Sequence, residues 1–289
     1  TQYEIKDSAL VYFTRALKAD RRAVEVNGIL AGLYSEKGET EKADSLFRVM
    51  ESEGIMTPEM SLMMISGLLA RNEFGEAAKK TVKLLEQNPG ETRFRALLAD
   101  IYFEQGLKEK SDSIYTEIIE KDPDDIEAQL FYLVSLVYRK EYSGISGFLN
   151  NVFKSDVVER EQKIAVARKL AGDSAYVKDN AASLAEGLVM LEAKYPGDEE
   201  ILSLRPGVYE AAGMTEKAIE RYEEILKDGR PDFWFKERLL ILYAERKEYR
   251  KLYDLAAGYS RDNNRSILGK VYYAMAAMEL KEYEVADAE

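Results

Sequence analysis

Cysteine and histidine are both absent from the 289-residue chain. Their absence excludes disulfides, a thiolate nucleophile and every zinc site built from Cys or His. It also removes the side chain that most often acts as a general base near neutral pH. Carboxylates, Lys, Tyr and Ser are the catalytic groups that are left, so the composition disfavours an enzyme without excluding one.

An excess of positive charge and long apolar runs are also missing. The 41 Lys and Arg are outnumbered by 53 Asp and Glu, which gives a net charge of −12. Nonspecific nucleic-acid binding needs clustered positive charge, so no nucleic-acid partner is expected. No apolar run approaches the roughly 20 residues of a membrane span. We expect a soluble segment, cytoplasmic or periplasmic. Since the sequence starts at Thr1 rather than Met, it is also compatible with a segment of a longer, anchored protein.

Motifs that carry chemistry are missing as well. The sequence has no glycine-rich phosphate loop and no G-x-S-x-G turn. Asp122, Asp124, Asp125 and Glu127 cluster, but they lack the glycine and the closing Glu of a calcium loop. We interpret them as helix-capping acids. No catalytic residue, cofactor or metal is therefore predicted.

What the sequence does contain is a repeat. Small or aliphatic residues recur every 34 residues, with one step of 39, at Ala9, Ala43, Ala77, Ser111, Ile145, Leu184, Ala218, Leu252 and Ala286. Between the predicted helices, Gly38, Asn72, Gly106 and Gly213 hold positions where a left-handed backbone is easiest for Gly or Asn. Pro89 and Pro123 close two of the repeats. A fixed period of this length is typical of a helical-repeat protein.

The residues at these recurring positions resemble the tetratricopeptide repeat, a helix-turn-helix of 34 residues with the pattern W-x2-L-G-x2-Y…A-x3-F…P. The best copies are Val24–Met56, which holds Leu30, Ala31, Tyr34, Ala43 and Phe47, and Thr92–Asp125. The resemblance implies an all-α fold, a right-handed α-solenoid (superhelix) of antiparallel helix pairs. Small residues would let the two helices of a repeat approach closely, and aromatics would fill the space to the next repeat.

The period also divides the chain. We expect a single array over residues 1–289, made of a partial repeat 1–23, repeats 24–57, 58–91, 92–125 and 126–156, an irregular repeat 157–198, repeats 199–232 and 233–265, and a truncated repeat 266–289. The partial repeat predicts a lone helix at about Tyr3–Ala19. An insertion at 172–179 predicts a loop, which we interpret as neutral rather than as a binding loop. Pro206 predicts a kink or break near Leu204–Gly207.

The resemblance also implies a function. Partners of tetratricopeptide proteins usually lie along the concave face lined by the first helices. The groove residues expected from the register are Leu62, Leu69, Phe103, Leu130, Val134, Val137, Trp234 and Ile241. The Lys and Asn clamp of the chaperone-binding subfamily is absent, because its first positions hold Gly28 and Gly32. We expect a non-catalytic scaffold that binds an apolar or amphipathic peptide segment of a protein partner in this groove.

Two alternatives stay open from the sequence. One is a structural spacer or self-assembly module within a larger protein, because neither end shows a polar cap and uncapped repeats favour end-to-end self-association. The other is an enzyme built on an α/α solenoid, which no motif supports.

Overall fold

The computed structural model describes residues 24–227, 233–263 and 265–281, and within them it contains fifteen α-helices and no β-strand. The helices are α1 (Val24–Glu36), α2 (Thr40–Ser52), α3 (Pro58–Ala70), α4 (Phe74–Gln87), α5 (Thr92–Glu104), α6 (Lys108–Lys121), α7 (Ile126–Arg139), α8 (Ile145–Lys154), α9 (Arg160–Ala171), α10 (Ser174–Lys194), α11 (Glu199–Ala211), α12 (Thr215–Lys227), α13 (Phe233–Glu245), α14 (Tyr249–Asp262) and α15 (Ile267–Glu279). The predicted all-α class is confirmed. The helix predicted at Tyr3–Ala19 lies outside the described residues.

The helices fall into two compact units, Thr1–Tyr132 and Leu133–Glu289, which divide within α7. In the first unit α1 packs on α2, α3 on α4 and α5 on α6, and each pair contacts the next. In the second unit α9 packs on α10, α11 on α12 and α13 on α14, again with contacts between successive pairs. Each unit is therefore built of stacked helix pairs, the architecture of a helical-repeat protein.

The positions that recur every 34 residues in the sequence lie in the core. The positions spaced by 34 residues are no more than 2% exposed at Ala43, Ala77, Ser111, Ile145, Leu184, Ala218 and Leu252. The positions four residues later are equally buried at Phe47, Thr81, Tyr115, Leu149, Leu188, Tyr222 and Ala256. Both sets of positions are thus buried in the core, as expected for residues that pack one helix on another.

The turns and helix starts also follow the sequence. Gly38 and Asn72 adopt positive φ angles of 74° and 59° between the helices of their repeats, the conformation that Gly and Asn tolerate best. Thr57 precedes α3, and its hydroxyl accepts the backbone N–H of Met60 at 3.3 Å. Pro58 occupies the first helical position, where its missing N–H costs nothing.

The insertion, in contrast, forms a helix and not a loop. The 21-residue α10 begins at Ser174, so most of the segment 172–179 is helical and the loop prediction is wrong. The side chain of Asp173 caps this helix by accepting the N–H of Ala175 at 3.0 Å and of Tyr176 at 3.1 Å. Tyr176 and Val177 are buried, with 1% and 0% exposure. The added residues therefore have both a cap and a packed face, which is what a helix needs to extend.

Pro206 does not break its helix. The α11 helix runs without interruption from Glu199 to Ala211 with Pro206 inside it, so of the predicted kink or break the break is wrong. Proline removes one backbone hydrogen bond and crowds the preceding turn. Ile201 and Val208 are fully buried on either side of it. We attribute the continuous helix to this packing on both sides, which outweighs the local cost.

Asp173 predicts a pH-dependent contribution to stability. The Tyr142 hydroxyl donates to its carboxylate at 2.7 Å, and with the N–H of Tyr176 and the nearby Lys140 it lowers the pKa of Asp173 from 3.8 to about 2. The charged form is thus favoured in the folded state, so the stabilisation is present above about pH 4 and is lost as the pH falls towards 2. We expect urea unfolding to show wild type more stable than Asp173→Asn at pH 7, with a smaller difference at pH 2.5. An equal difference at pH 7, 4 and 2.5 would contradict this assignment.

Candidate partner-binding site

Four of the predicted groove residues lie in the first unit. Leu62 and Leu69, both on α3, are half-buried and pack against the core cluster that contains Ile65. Phe103 on α5 is half-buried as well. Leu130 is only 5% exposed, so its side chain is part of the packing. The structure thus brings Leu62 and Leu69 onto one helix and leaves part of each exposed.

The other four lie in the second unit. Val134 and Trp234 are 46% and 47% exposed, and Ile241 is half-buried. Val137 is 5% exposed and therefore buried. Trp234 lies edge-on to Tyr222, with 6.2 Å between ring centroids. The eight predicted groove residues are therefore divided between the two units, and in each unit one of the four is buried.

An open pocket lies between the first helices α1 and α3. Its lining residues are Gly28, Ile29, Gly32, Leu33, Thr57, Glu59, Met60 and Met63, and we call it the methionine pocket. Its volume is about 630 Å³, within the range of sites that enclose small ligands or side chains. Ile29 is 44% exposed, so a large apolar side chain already faces solvent there.

Two glycines shape the α1 wall of this pocket. A Cβ atom on Gly28 would lie 2.5 Å from the Cε of Met60, and one on Gly32 would lie 2.6 Å from the Cε of Met63. The methionines reach α1 because these side chains are missing. The sequence does carry a signal, since a glycine inside a helix costs about 1 kcal/mol relative to alanine and implies a packing reason. In the sequence, Gly28 and Gly32 were notable only because they stand where the chaperone-binding subfamily has the Lys and Asn of its clamp.

Glu59 supplies the charge at the pocket. It lies in the first turn of α3 and is exposed. Its own backbone N–H, the Thr57 hydroxyl and the charge of Arg93 lower the pKa of its carboxyl, and the positive end of the helix dipole acts in the same direction. Glu59 is therefore ionised at neutral pH.

The acidic cluster after α6 has a structural role. Asp125 accepts the backbone N–H of Glu127 at 3.0 Å and of Ala128 at 3.1 Å, so it caps α7 as interpreted from the sequence. In the described ranges, Asp and Glu do not gather in any group of three or more that could hold a metal ion. Over the same ranges, every helix is too short or too polar to cross a bilayer.

A carboxylate of the second unit lies in a hydrogen-bonded network. The Tyr222 hydroxyl donates to the Oε1 of Glu210 at 2.6 Å, and Arg238 pairs with the same carboxylate. Burial and the Glu210 charge raise the pKa of Tyr222. The tyrosine therefore stays neutral, and the network joins α11, α12 and α13.

Comparison with known proteins agrees with this architecture. Residues 68–132 match the family model described as tetratricopeptide repeat. The C-terminal part of a TPR repeat-containing protein from Cytophaga hutchinsonii is 10% identical with a TM-score of 0.51, and the match covers 85% of this chain and 98% of that one. This similarity shows a shared fold.

Two further solved structures superpose with lower TM-scores. A tetratricopeptide repeat protein from Parabacteroides merdae is 13% identical with a TM-score of 0.44, and the match covers 88% of this chain and 98% of that one. The pilF protein of Pseudomonas aeruginosa is 15% identical with a TM-score of 0.43, over 75% of this chain and 97% of that one. No curated protein sequence matches the chain.

Proposed function

We infer that this chain, an array of tetratricopeptide repeats, is a non-catalytic scaffold that binds an apolar or amphipathic segment of a protein partner. The tetratricopeptide fold is that of protein–protein interaction scaffolds, which supports the general role. The specific mode, an apolar anchor held between first helices, rests on the methionine pocket.

The pocket has the composition of an anchor site. Ile29, Leu33 and Met63 offer apolar surface around the buried Met60, and burying a partner's large apolar side chain there would contribute about 1.5–3 kcal/mol. Methionine side chains are flexible and polarisable, so they adapt to apolar groups of different shapes. An amphipathic segment that places such a side chain in a groove is a common mode of peptide recognition. Leu62 and Leu69 lie on the same helix, α3, outside the pocket lining, and each is half-buried.

Ile29→Glu tests this proposal. We expect the substitution to weaken binding at least tenfold, because a buried carboxylate would face the partner's apolar anchor. The probe is a synthetic peptide selected on wild-type protein from a displayed library of 16-residue sequences, and its Kd is measured by fluorescence anisotropy.

Val49→Glu is the matched control. Val49 lies on the second helix α2, is 43% exposed against 44% for Ile29, and does not line the pocket. We expect this variant to bind the peptide as wild type does, and circular dichroism to show the same helical signal for both variants. Equal affinities for Ile29→Glu and Val49→Glu would refute the pocket as the binding site.

A further inference from the structure

The helices that frame the methionine pocket carry no positive charge. Neither α1 nor α3 contains a Lys or Arg. The second helices of the same two repeats carry five, which are Lys42, Arg48, Lys79, Lys80 and Lys83. In this part of the first unit the cations lie on the second helices and, at Lys37 and Arg71, in the turns that follow the first helices, and none lies on α1 or α3.

Glu59 is the one charged residue among those that line the pocket. The cation that acts on it belongs to Arg93 on α5. The guanidinium of Arg93 is itself paired with Glu91 at 3.0 Å, so part of its positive charge is offset. Glu59 is therefore an exposed carboxylate at the edge of an apolar pocket, and a partner's cation would meet no repulsion from α1 or α3.

We propose that the occupant of the methionine pocket is a protein segment in which the apolar anchor is flanked by a Lys or Arg that pairs with Glu59. The inference rests on the proposed function, since it requires that the pocket binds a partner. The negative charge of Glu59 favours a partner with a positive charge beside its apolar anchor. A segment with an acidic flank would place two carboxylates together beside an apolar surface, whereas a basic flank gains an ion pair.

Three synthetic peptides separate these possibilities. They share the apolar residues of the peptide selected above and carry Lys, Gln or Glu at the positions that flank the anchor. We expect wild type to bind the Lys peptide about fivefold more tightly than the Gln peptide, the scale of one exposed ion pair, and the Glu peptide least tightly. This preference should shrink in 0.5 M salt because exposed charges are screened.

Glu59→Lys should reverse the order, so that the Glu peptide binds most tightly. The matched control is Glu76→Lys, because Glu76 also lies in the first turn of its helix, α4, is exposed and does not line the pocket. We expect this control to keep the wild-type order.

The outcomes distinguish the inference from the function on which it rests. Equal binding of the three peptides by wild type, together with weakened binding by Ile29→Glu, would overturn the inference and leave the pocket as the binding site. Unchanged binding by Ile29→Glu would overturn the proposed function. A reversed order in Glu76→Lys would place the charge selection elsewhere and also overturn the inference.

Discussion

Replacing Tyr222 by alanine lowers the free energy of unfolding of the second unit by about 3–5 kcal/mol, the range seen when a large buried aromatic is truncated. Tyr222 is 0% exposed, and its ring contacts that of Phe235 at 6.0 Å between centroids. Its hydroxyl donates to Glu210 on the neighbouring first helix. The substitution therefore removes core volume and leaves part of the Glu210 carboxylate without its donor.

The measurement uses the fluorescence of Trp234, the one tryptophan of the chain, during denaturation in urea. Trp234 lies against the Tyr222 ring, so its signal reports on this part of the second unit. Because repeat arrays often unfold in parts, hydrogen exchange across α11–α13 should accompany it. Tyr222→Phe is the control and should cost about 1 kcal/mol, since it loses only the hydroxyl. Equal losses for Ala and Phe would show that the ring contributes nothing beyond its hydrogen bond.

Removal of the Glu192 side chain should cost about 2–3 kcal/mol, somewhat less than the loss of a fully buried ion pair. Glu192, on α10, accepts two hydrogen bonds from Arg205 of α11, at 2.9 and 2.6 Å, and one from Arg221 of α12, at 2.9 Å. The side chains of Glu192, Arg205 and Arg221 are only 10%, 17% and 14% exposed. Glu192→Ala would leave the half-buried guanidinium of Arg205 without this counter-charge and that of Arg221 with only the exposed Glu224.

Glu224→Ala supplies the matched control. Glu224 pairs with the same Arg221 at 2.9 Å, but its side chain is 57% exposed. Exposed pairs of this kind contribute at most about 1 kcal/mol. Urea unfolding of both variants beside wild type should therefore separate them by more than 1 kcal/mol. Indistinguishable midpoints would mean that the Glu192 network contributes no more than a surface pair.

The helix pairs could be predicted from the sequence because their determinants are local and periodic. Ala43 and Ala77 mark helix contacts by a spacing of 34, and Thr57 and Gly38 mark a helix start and a turn by residue type alone. The helical conformation of the insertion could not be predicted from a local pattern. Its helix depends on Asp173, whose carboxylate is held by Tyr142, a residue 31 positions earlier in the chain.

The candidate site was harder to predict, for a physical reason. First helices such as α3, with the sequence PEMSLMMISGLLA, are apolar on most of their circumference. The pattern therefore cannot separate residues that face a groove from residues that pack on the next helix. Leu130 and Val137 were assigned to the groove from the register, yet both are buried. The methionine pocket arises between helices, from Gly32 meeting Met63, and no single-helix pattern contains that contact.

The extended α10 shows how this array accommodates a change of length. An α-helix turns by about 100° per residue, so five added residues rotate whatever follows by about 140° beyond a full turn. In the middle of α10 such an addition would swing Leu184, Leu188 and Leu191 off their common face, yet all three are 0% exposed. At the capped N-terminal end the angular phase of the downstream helix is preserved, and the 34-residue spacing resumes at Ala218. The N-terminal end of α10 thus accommodates the added residues without changing the phase of the helix that follows them.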